Sequence, residues 1–305
     1  MKNIVCGLAV SLFLSSSVLS ENLPSAVVLD RIAMPEESVS GKNIKELSGL
    51  GWDEDDKLLY AVSDNGFLHH FKITIAGDKL SKVEPVFSVK IVDAATGFFG
   101  WGMTNAEGLH VRNGSNGKAG DAELVIAFED GPTIGLFTAQ GKDIAEIKLP
   151  ELLSNPDSYR NSNKRLESVT ELEPYGILTA PEAHLENDAK DVHSIFAMDG
   201  RKWSFQALQA KQDSVKALDA LPDGRILVLV RTRDPSTDQP QAHLLIVDLS
   251  KCGEDVVCPV VEVAVSDAKL LANDFEGMTR VSDGLYLIVT DSRHGGEMVL
   301  FRLNL

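Results

Sequence analysis

The 305-residue chain lacks most of the short signatures that announce a chemistry. It has no Walker phosphate loop, no Gly-x-Gly-x-x-Gly dinucleotide fingerprint, no zinc-ligand spacing and no Gly-x-Ser-x-Gly nucleophile elbow, so nothing local points to nucleotide, zinc or serine-hydrolase chemistry. Sustained helical periodicity is scarce, which argues against a bundle or an α/β sandwich. Basic residues are the minority, 29 Lys and Arg against 45 Asp and Glu for a formal charge of −16, and so acidic a surface argues against nucleic acid or an anionic membrane as partner. Cysteines number three. Beyond the first twenty residues no apolar run is long enough for a membrane helix, so no membrane insertion is expected.

Residues 1–20 hold Lys2, an apolar run over 4–14 with Cys6 inside it, and a tail ending Val18-Leu19-Ser20. That is the pattern of a secretory leader cleaved after Ser20. With no Leu-x-x-Cys lipidation box at the junction, the expectation is a soluble periplasmic or secreted monomer whose single domain spans residues 21–305. Cleavage removes Lys2 and Cys6, which takes the formal charge from −16 to −17 and leaves Cys252 and Cys258. An even pair in an exported chain reads as a disulfide, the alternative being two free thiols.

One pattern occurs five times. Its clearest copy runs from Asp274-Phe275-Glu276-Gly277-Met278 through Asp283-Gly284 to Ile288-Val289-Thr290-Asp291: two apolar runs, each with a carboxylate at its outer end, joined by an Asp-Gly pair suited to a type I′ hairpin turn. The copies open at residues 46, 107, 167, 216 and 276, at spacings of 61, 60, 49 and 60. A repeat of roughly 40 to 60 residues with four short strands per unit is the signature of a β-propeller. The expected fold is therefore all-β, with five four-stranded blades by repeat count and six as the alternative. The last unit lacks a fourth strand, and the run at residues 26–34 (AVVLDRIAM) has no local partner, so it is expected to close the ring by supplying that strand. Cys252 and Cys258 fall between the third and fourth strands of the fourth unit, at the rim opposite the repeated charges.

In an antiparallel blade the start of strand one and the end of strand two share a rim, so the repeat predicts two circles of side chains. The first is Glu46, Glu107, Glu167, Lys216 and Glu276; the second is Asp64, Glu129, Glu182, Arg231 and Asp291. If the hairpins are unbulged, Glu276 faces Asp291, Glu167 faces Glu182, and Lys216 faces Arg231. Facing carboxylates about 4.5 to 5.5 Å apart at Cβ repel one another and call for a cation, shared protons or full solvation. Oxygen-only ligands favour a hard ion such as Ca²⁺ over zinc or copper. Candidate metal ligands are Glu46, Asp64, Glu107, Glu129, Glu276 and Asp291. Lys216, Arg231 and Arg293 are candidates to hold phosphate, and Glu167 or Glu182 to act as general base. Loops at the same rim add Trp101, Arg160, Arg165, His184, Arg233 and His294. The plainer alternative is a polar propeller mouth whose charges are only solvated.

The runs Glu46-Leu47-Ser48-Gly49-Leu50, Tyr60-Ala61-Val62-Ser63-Asp64-Asn65-Gly66, Asn105-Ala106-Glu107-Gly108-Leu109, Arg165-Leu166-Glu167-Ser168-Val169 and Asp274-Phe275-Glu276-Gly277-Met278 resemble the exported phytase-like family, described as having esterase-like activity of phytase. The resemblance covers essentially all of the mature chain. It implies a β-propeller acting on an ester or phosphoester, related to calcium-dependent propeller phytases, which have six blades where five units are counted here. Three functions follow as expectations: a Ca²⁺-assisted hydrolase of a small anionic or phosphorylated substrate, a non-catalytic propeller that binds a metal, an anionic small molecule or a protein, and a calcium-dependent lactonase-like hydrolase.

Overall fold

A computed structural model describes residues 23–91, 105–206, 208, 213–253, 256–266, 272–293 and 296–305. The leader expected over residues 1–20 lies outside them. The second strand of the fourth repeat shows why these segments fold as they do. In Ile226-Leu227-Val228-Leu229-Val230 the even-numbered side chains join a core shared with the preceding sheet, and Leu227 and Leu229 join one shared with the following sheet. A strand covered on both faces reads as an unbroken apolar run. Five such cores occur, one between each pair of neighbouring sheets.

Blade one is β2 (Leu47–Asp53), β3 (Leu58–Ser63), β4 (Phe67–Ala76) and β5 (Lys79–Lys90). Blade two is β6 (Ala106–Arg112), β7 (Glu123–Phe128), β8 (Thr133–Thr138) and β9 (Asp143–Ile147). Blade three is β10 (Leu166–Leu172), β11 (Gly176–Pro181), β12 (Val192–Ala197) and β13 (Lys202–Gln206); blade four is β14 (Ser214–Ala220), β15 (Ile226–Arg233), β16 (Pro240–Val247) and β17 (Val260–Glu262). Blade five is β19 (Phe275–Ser282), β20 (Leu285–Thr290), β21 (Glu297–Asn304) and, as its fourth strand, β1 (Ser25–Ala33) running antiparallel to β21. The N-terminal strand closes the ring, with the two-residue β18 (Ala264–Val265) lying parallel along its outer edge. The innermost strands touch in the cyclic order β2, β6, β10, β14, β19 and back to β2, which makes a five-bladed propeller.

Small residues let those inner strands close so narrow a ring. A Cβ on Gly108 would sit 2.7 Å from the backbone nitrogen of Val169 and 2.8 Å from Ser168 Cα, and one on Gly49 would sit 2.8 Å from the carbonyl oxygen of Glu107. The matching positions hold Ser168, Ala217 and Gly277. Cys252 and Cys258 form the expected disulfide between β16 and β17. Among the described residues, no helix is long and apolar enough to cross a membrane.

The hairpins are not the unbulged ones expected. In every blade the first strand carries a bulge near its start: Leu47 pairs with Ser63 and Gly49 with Val62, and the corresponding skips fall at Glu107, Glu167, Lys216 and Glu276. In the fifth hairpin Gly284 takes a positive φ of 70° while Asp283 does not, so the turn is not type I′, and a second register shift follows between Arg280 and Ser282. A bulge leaves its residue out of the ladder and re-aims the side chain. This moves the charges of the rim.

Candidate functional site

The bulged residues form the inner circle of the rim: Ser48, Glu107, Glu167, Lys216 and Glu276, all buried. Four match the sequence expectation; in blade one the bulge falls on Ser48, two residues after Glu46. Glu46 belongs to another circle, with Asn105, Arg165, Ser214 and Asp274. Of these, Glu46, Asn105, Arg165 and Asp274 accept backbone hydrogen bonds from Asp64, Glu129, Glu182 and Asp291, and Ser214 pairs with Arg231. The backbone partner of Asp291 is thus Asp274 rather than Glu276, that of Glu182 is Arg165 rather than Glu167, and that of Arg231 is Ser214 rather than Lys216. The spacing of the next residue carried the signal for Ser48: Ser48-Gly49-Leu50 aligns with Glu107-Gly108-Leu109 and Glu276-Gly277-Met278.

The bulges gather carboxylates across blades rather than within hairpins. Asp64, Glu107 and Glu276, from blades one, two and five, each offer an oxygen within 4.8 Å of the others, and so do Glu129, Glu167 and Glu182 from blades two and three. Lys216 lies between the two groups. Its ammonium pairs with Glu167, with Glu276 Oε1 at 2.5 Å and with Glu182 Oε1 at 3.3 Å. Arg231 donates to Glu182 Oε1 at 2.9 Å, Asp274 Oδ1 at 2.7 Å and Glu276 Oε1 at 3.1 Å. Lys164 adds a third cation, 2.5 Å from Glu182 Oε1. The two basic residues of the fourth blade therefore act as counter-ions inside the mouth, with their donors directed at carboxylates.

The two acidic groups differ in how well they are satisfied. Glu129 accepts from Asn105 Nδ2 at 2.6 Å and from the backbone N–H of Arg165 at 3.1 Å, and Glu182 has three cations. Burial would raise Glu182, but Lys216, Lys164 and Arg231 outweigh it and hold it at about 2. In the other group Ser48 Oγ donates to Asp64 Oδ1 at 2.5 Å and lies 3.3 Å from Glu276 Oε2. No donor among the described residues reaches Glu107, which is only 6% exposed. Burial, together with Glu167, Asp64 and Glu276, drives its carboxyl well above the usual range. Burial likewise raises Asp64 to about 6, Asp291 to about 7 and Glu129 to about 7, with neighbouring carboxylates adding to each. Asp291 also keeps one buried oxygen, Oδ1, that has no hydrogen-bond partner among the described residues.

A donor set of this kind fits a hard divalent cation. Ca²⁺ takes oxygens at about 2.3 to 2.6 Å, so ligand atoms up to about 4.8 Å apart can share one ion, which is the span of Asp64, Glu107 and Glu276. The other candidates sit further out. Arg293 is 85% exposed in its side chain, 3.5 Å from Glu46 Oε1, while Glu46 is lowered by Asn65 and Lys45 against the effect of burial. Arg160 is hydrogen-bonded to His184 at 2.8 Å, and Arg233 to the carbonyl of Asp238 at 2.9 Å. Trp101 and His294 lie outside the described residues.

The sequence model of the phytase-like family, described as esterase-like activity of phytase, matches residues 42–292. The chain belongs to this family. In this phytase-like chain the match begins just before blade one and ends next to Asp291, so both acidic groups fall inside it. No curated protein matches the sequence. Among solved structures, the PQQ-bound form of the aldose sugar dehydrogenase from Streptomyces coelicolor is similar over 92% of this chain and 98% of its own, at 8% identity and a TM-score of 0.47.

Proposed function

We propose that the protein is an exported, monomeric, phytase-like hydrolase of a small phosphorylated or otherwise anionic ester, working with Ca²⁺ at the acidic mouth. The observation that carries this reading is the group Asp64, Glu107 and Glu276: three oxygens within 4.8 Å, one from a buried carboxylate that no described donor reaches. Bound there, Ca²⁺ would supply Lewis-acid polarisation of an ester oxygen and a more acidic water. The chain's own residues divide the remaining work. Lys216 and Arg231 neutralise the mouth and keep Glu276 in place. Of the two candidate bases, Glu182 is held too low to accept a proton readily, whereas burial raises Glu167 and favours it for that role. Asp291, Glu129 and Glu46 would complete an oxygen-rich surround.

The substrate's negative charge has a place to go at the same rim. Lys42, Lys45 and Lys90 line a cavity of about 340 Å³ with Asn43, Ser63 and Asn65, beside Asp64 and Glu46. Neither Lys42 nor Lys90 has an ion-pair partner among the described residues. Together with the exposed Arg293 they take over the phosphate-holding part that Lys216 and Arg231, engaged with carboxylates, fill less well. The disulfide and the family are consistent with a secreted or periplasmic location.

The test is phosphatase and carboxylesterase activity with Ca²⁺ and with chelator, for wild type and Glu276→Gln. Turnover that needs Ca²⁺ and falls in the variant supports the proposal; equal rates under all conditions overturn it. A Ca²⁺-dependent rise in melting temperature without turnover would mark a binding propeller, and lactone opening without phosphate release a lactonase-like enzyme.

A further inference from the structure

The propeller axis has a second end. Where the inner strands finish, a cavity of about 500 Å³ opens at the rim opposite the acidic mouth. Its size lies within the range of small-molecule sites, about 300 to 1,000 Å³. The two ends do not communicate through a space of ligand size. Between them Leu50, Leu109, Val169, Leu218 and Met278, one from each blade, leave about 10 Å³, room for one water at most.

Five blades bring five different chemistries to this cavity: Trp52 from β2, His110 from β6, Thr170 from β10, Asp219 from β14, and Thr279 and Arg280 from β19. Glu54, Glu171 and Asp283 line it as well, the first two paired with Lys57 and Arg112. Several of its groups have capacity to spare. The nearest carboxylate to the Arg280 guanidinium is Asp283, at 3.9 Å. His110 Nε2 lies 3.8 Å from Glu171 Oε2, and no hydrogen bond to either ring nitrogen forms among the described residues. Glu171 is itself held by Arg112 through two bonds of 2.7 and 2.5 Å, so His110 is not its main partner. Asp219 spends one oxygen on the backbone N–H of Arg280, at 2.9 Å, and no described donor reaches the other. Burial keeps the His110 imidazole neutral, down at about 4, and raises Asp219 to about 7, so both offer hydrogen-bond donor and acceptor atoms near neutral pH.

We infer that the end of the axis opposite the acidic mouth is a second ligand site, for a small hydroxylated carboxylate of sugar-acid size. A planar guanidinium matches a carboxylate with two parallel bonds. His110, Asp219, Thr170 and Thr279 supply the mixed donors and acceptors that hydroxyl groups require, and Trp52 gives a flat apolar wall with its indole N–H already satisfied by Glu54 at 2.9 Å. The site is independent of the hydrolysis proposed for the other end.

Calorimetric titration with D-glucuronate, D-glucose and acetate tests it on the whole protein. Glucuronate is expected to bind one-to-one with an affinity of about millimolar or better, and more tightly than either glucose, which lacks the carboxylate, or acetate, which lacks the hydroxyls. Arg280→Gln should weaken glucuronate by about tenfold or more, Asp219→Asn should lower the preference over acetate, and Glu107→Gln at the opposite mouth should leave the affinity unchanged. Chemical-shift changes confined to the ends of β2, β6, β10, β14 and β19 would locate the ligand without any variant. No saturable glucuronate binding overturns the inference, as do equal affinities for glucuronate and glucose, or loss of binding in Glu107→Gln with retention in Arg280→Gln.

Discussion

Lys216 and Glu276 occupy the same bulge position in adjacent blades, and the ammonium of the first lies 2.5 Å from Oε1 of the second. The lysine is the single inversion of sign in the inner circle, and it also pairs with Glu167 and Glu182 on its other side. Burial alone would lower Lys216, but its three glutamates outweigh burial and raise it well above the ordinary lysine value. It serves as the internal counter-ion of the mouth. Replacing it by methionine keeps most of the volume and strands buried carboxylates, a change that costs roughly 3 to 5 kcal/mol when one partner of a buried pair is removed. Urea unfolding of Lys216→Met should show that loss in chelator and a smaller one in Ca²⁺. A loss below about 1 kcal/mol, the worth of a surface pair, would show that the lysine is not the counter-ion.

Much of this arrangement was legible in the repeat. Runs such as Ile226 to Val230, apolar at every position, announce strands covered on both faces, and the unpartnered run at residues 26–34 announces ring closure. The bulges were not legible. A bulge adds one residue to one strand without a composition of its own, and Glu107 and Ser48 occupy the same kind of bulge with nothing chemical in common. That single residue turned the expected facing pairs into backbone partners two positions earlier and made Ser48, rather than Glu46, the blade-one member of the circle. The gathering of Asp64, Glu107 and Glu276 depends on three blades closing a ring, a relation between residues far apart in sequence that no local pattern carries. The opposite cavity escaped for the same reason: its five chemistries differ, so no repeat marks them.

Ring closure itself can be tested at Gly108. A methyl group there meets the backbone of Val169 and Ser168 at 2.7 to 2.8 Å, and backbone cannot give way as a flexible side chain can. Gly108→Ala should destabilise by about 1 to 3 kcal/mol, the range for overpacking a tight contact. Ala217 already carries that methyl group in blade four, so Ala217→Gly should have a smaller effect. Thermal melts of the two variants decide the point, and a Gly108→Ala protein as stable as wild type would place the inner strands further apart than described.

The disulfide closes a short loop between β16 and β17, away from both ends of the axis. Seven residues, from Cys252 to Cys258, lie in that loop, so chain entropy assigns it about 2 kcal/mol. The double variant Cys252→Ser/Cys258→Ser should lose about that much in urea and keep its Ca²⁺ response unchanged. A changed Ca²⁺ response would mean that blade four transmits strain to the mouth.

The pH dependence of stability follows from the raised carboxyls. Glu129 titrates near 7 when folded, against an ordinary value of 4.5. The folded protein therefore holds a proton that the unfolded chain has released between those values. The stabilisation this gives is fully present below about 4 and is lost as pH rises through about 7. In chelator, wild type should lose stability between those pH values relative to Glu129→Gln, which cannot ionise, by roughly 1 to 3 kcal/mol for a shift of this size. Parallel stability curves for the two proteins would show that Glu129 is no different in the folded and unfolded states.

Glu107 separates repulsion from metal binding, because the two predict opposite effects of one substitution. In chelator its buried carboxyl has no described donor and faces Asp64, Glu167 and Glu276, so Glu107→Gln should raise the melting temperature by relieving repulsion. With Ca²⁺ in excess the order should reverse. A ligand at a hundred times its dissociation constant stabilises by about 2.7 kcal/mol, and a variant that offers a neutral amide in place of one of three clustered carboxylates forfeits part of that gain. Calorimetric scans of both proteins in chelator and in Ca²⁺ should therefore cross. If Glu107→Gln is more stable than wild type under both conditions by the same amount, Glu107 is a source of repulsion and no metal ligand, and the remaining oxygens of Asp64 and Glu276 would be too few to hold the ion at this end of the axis.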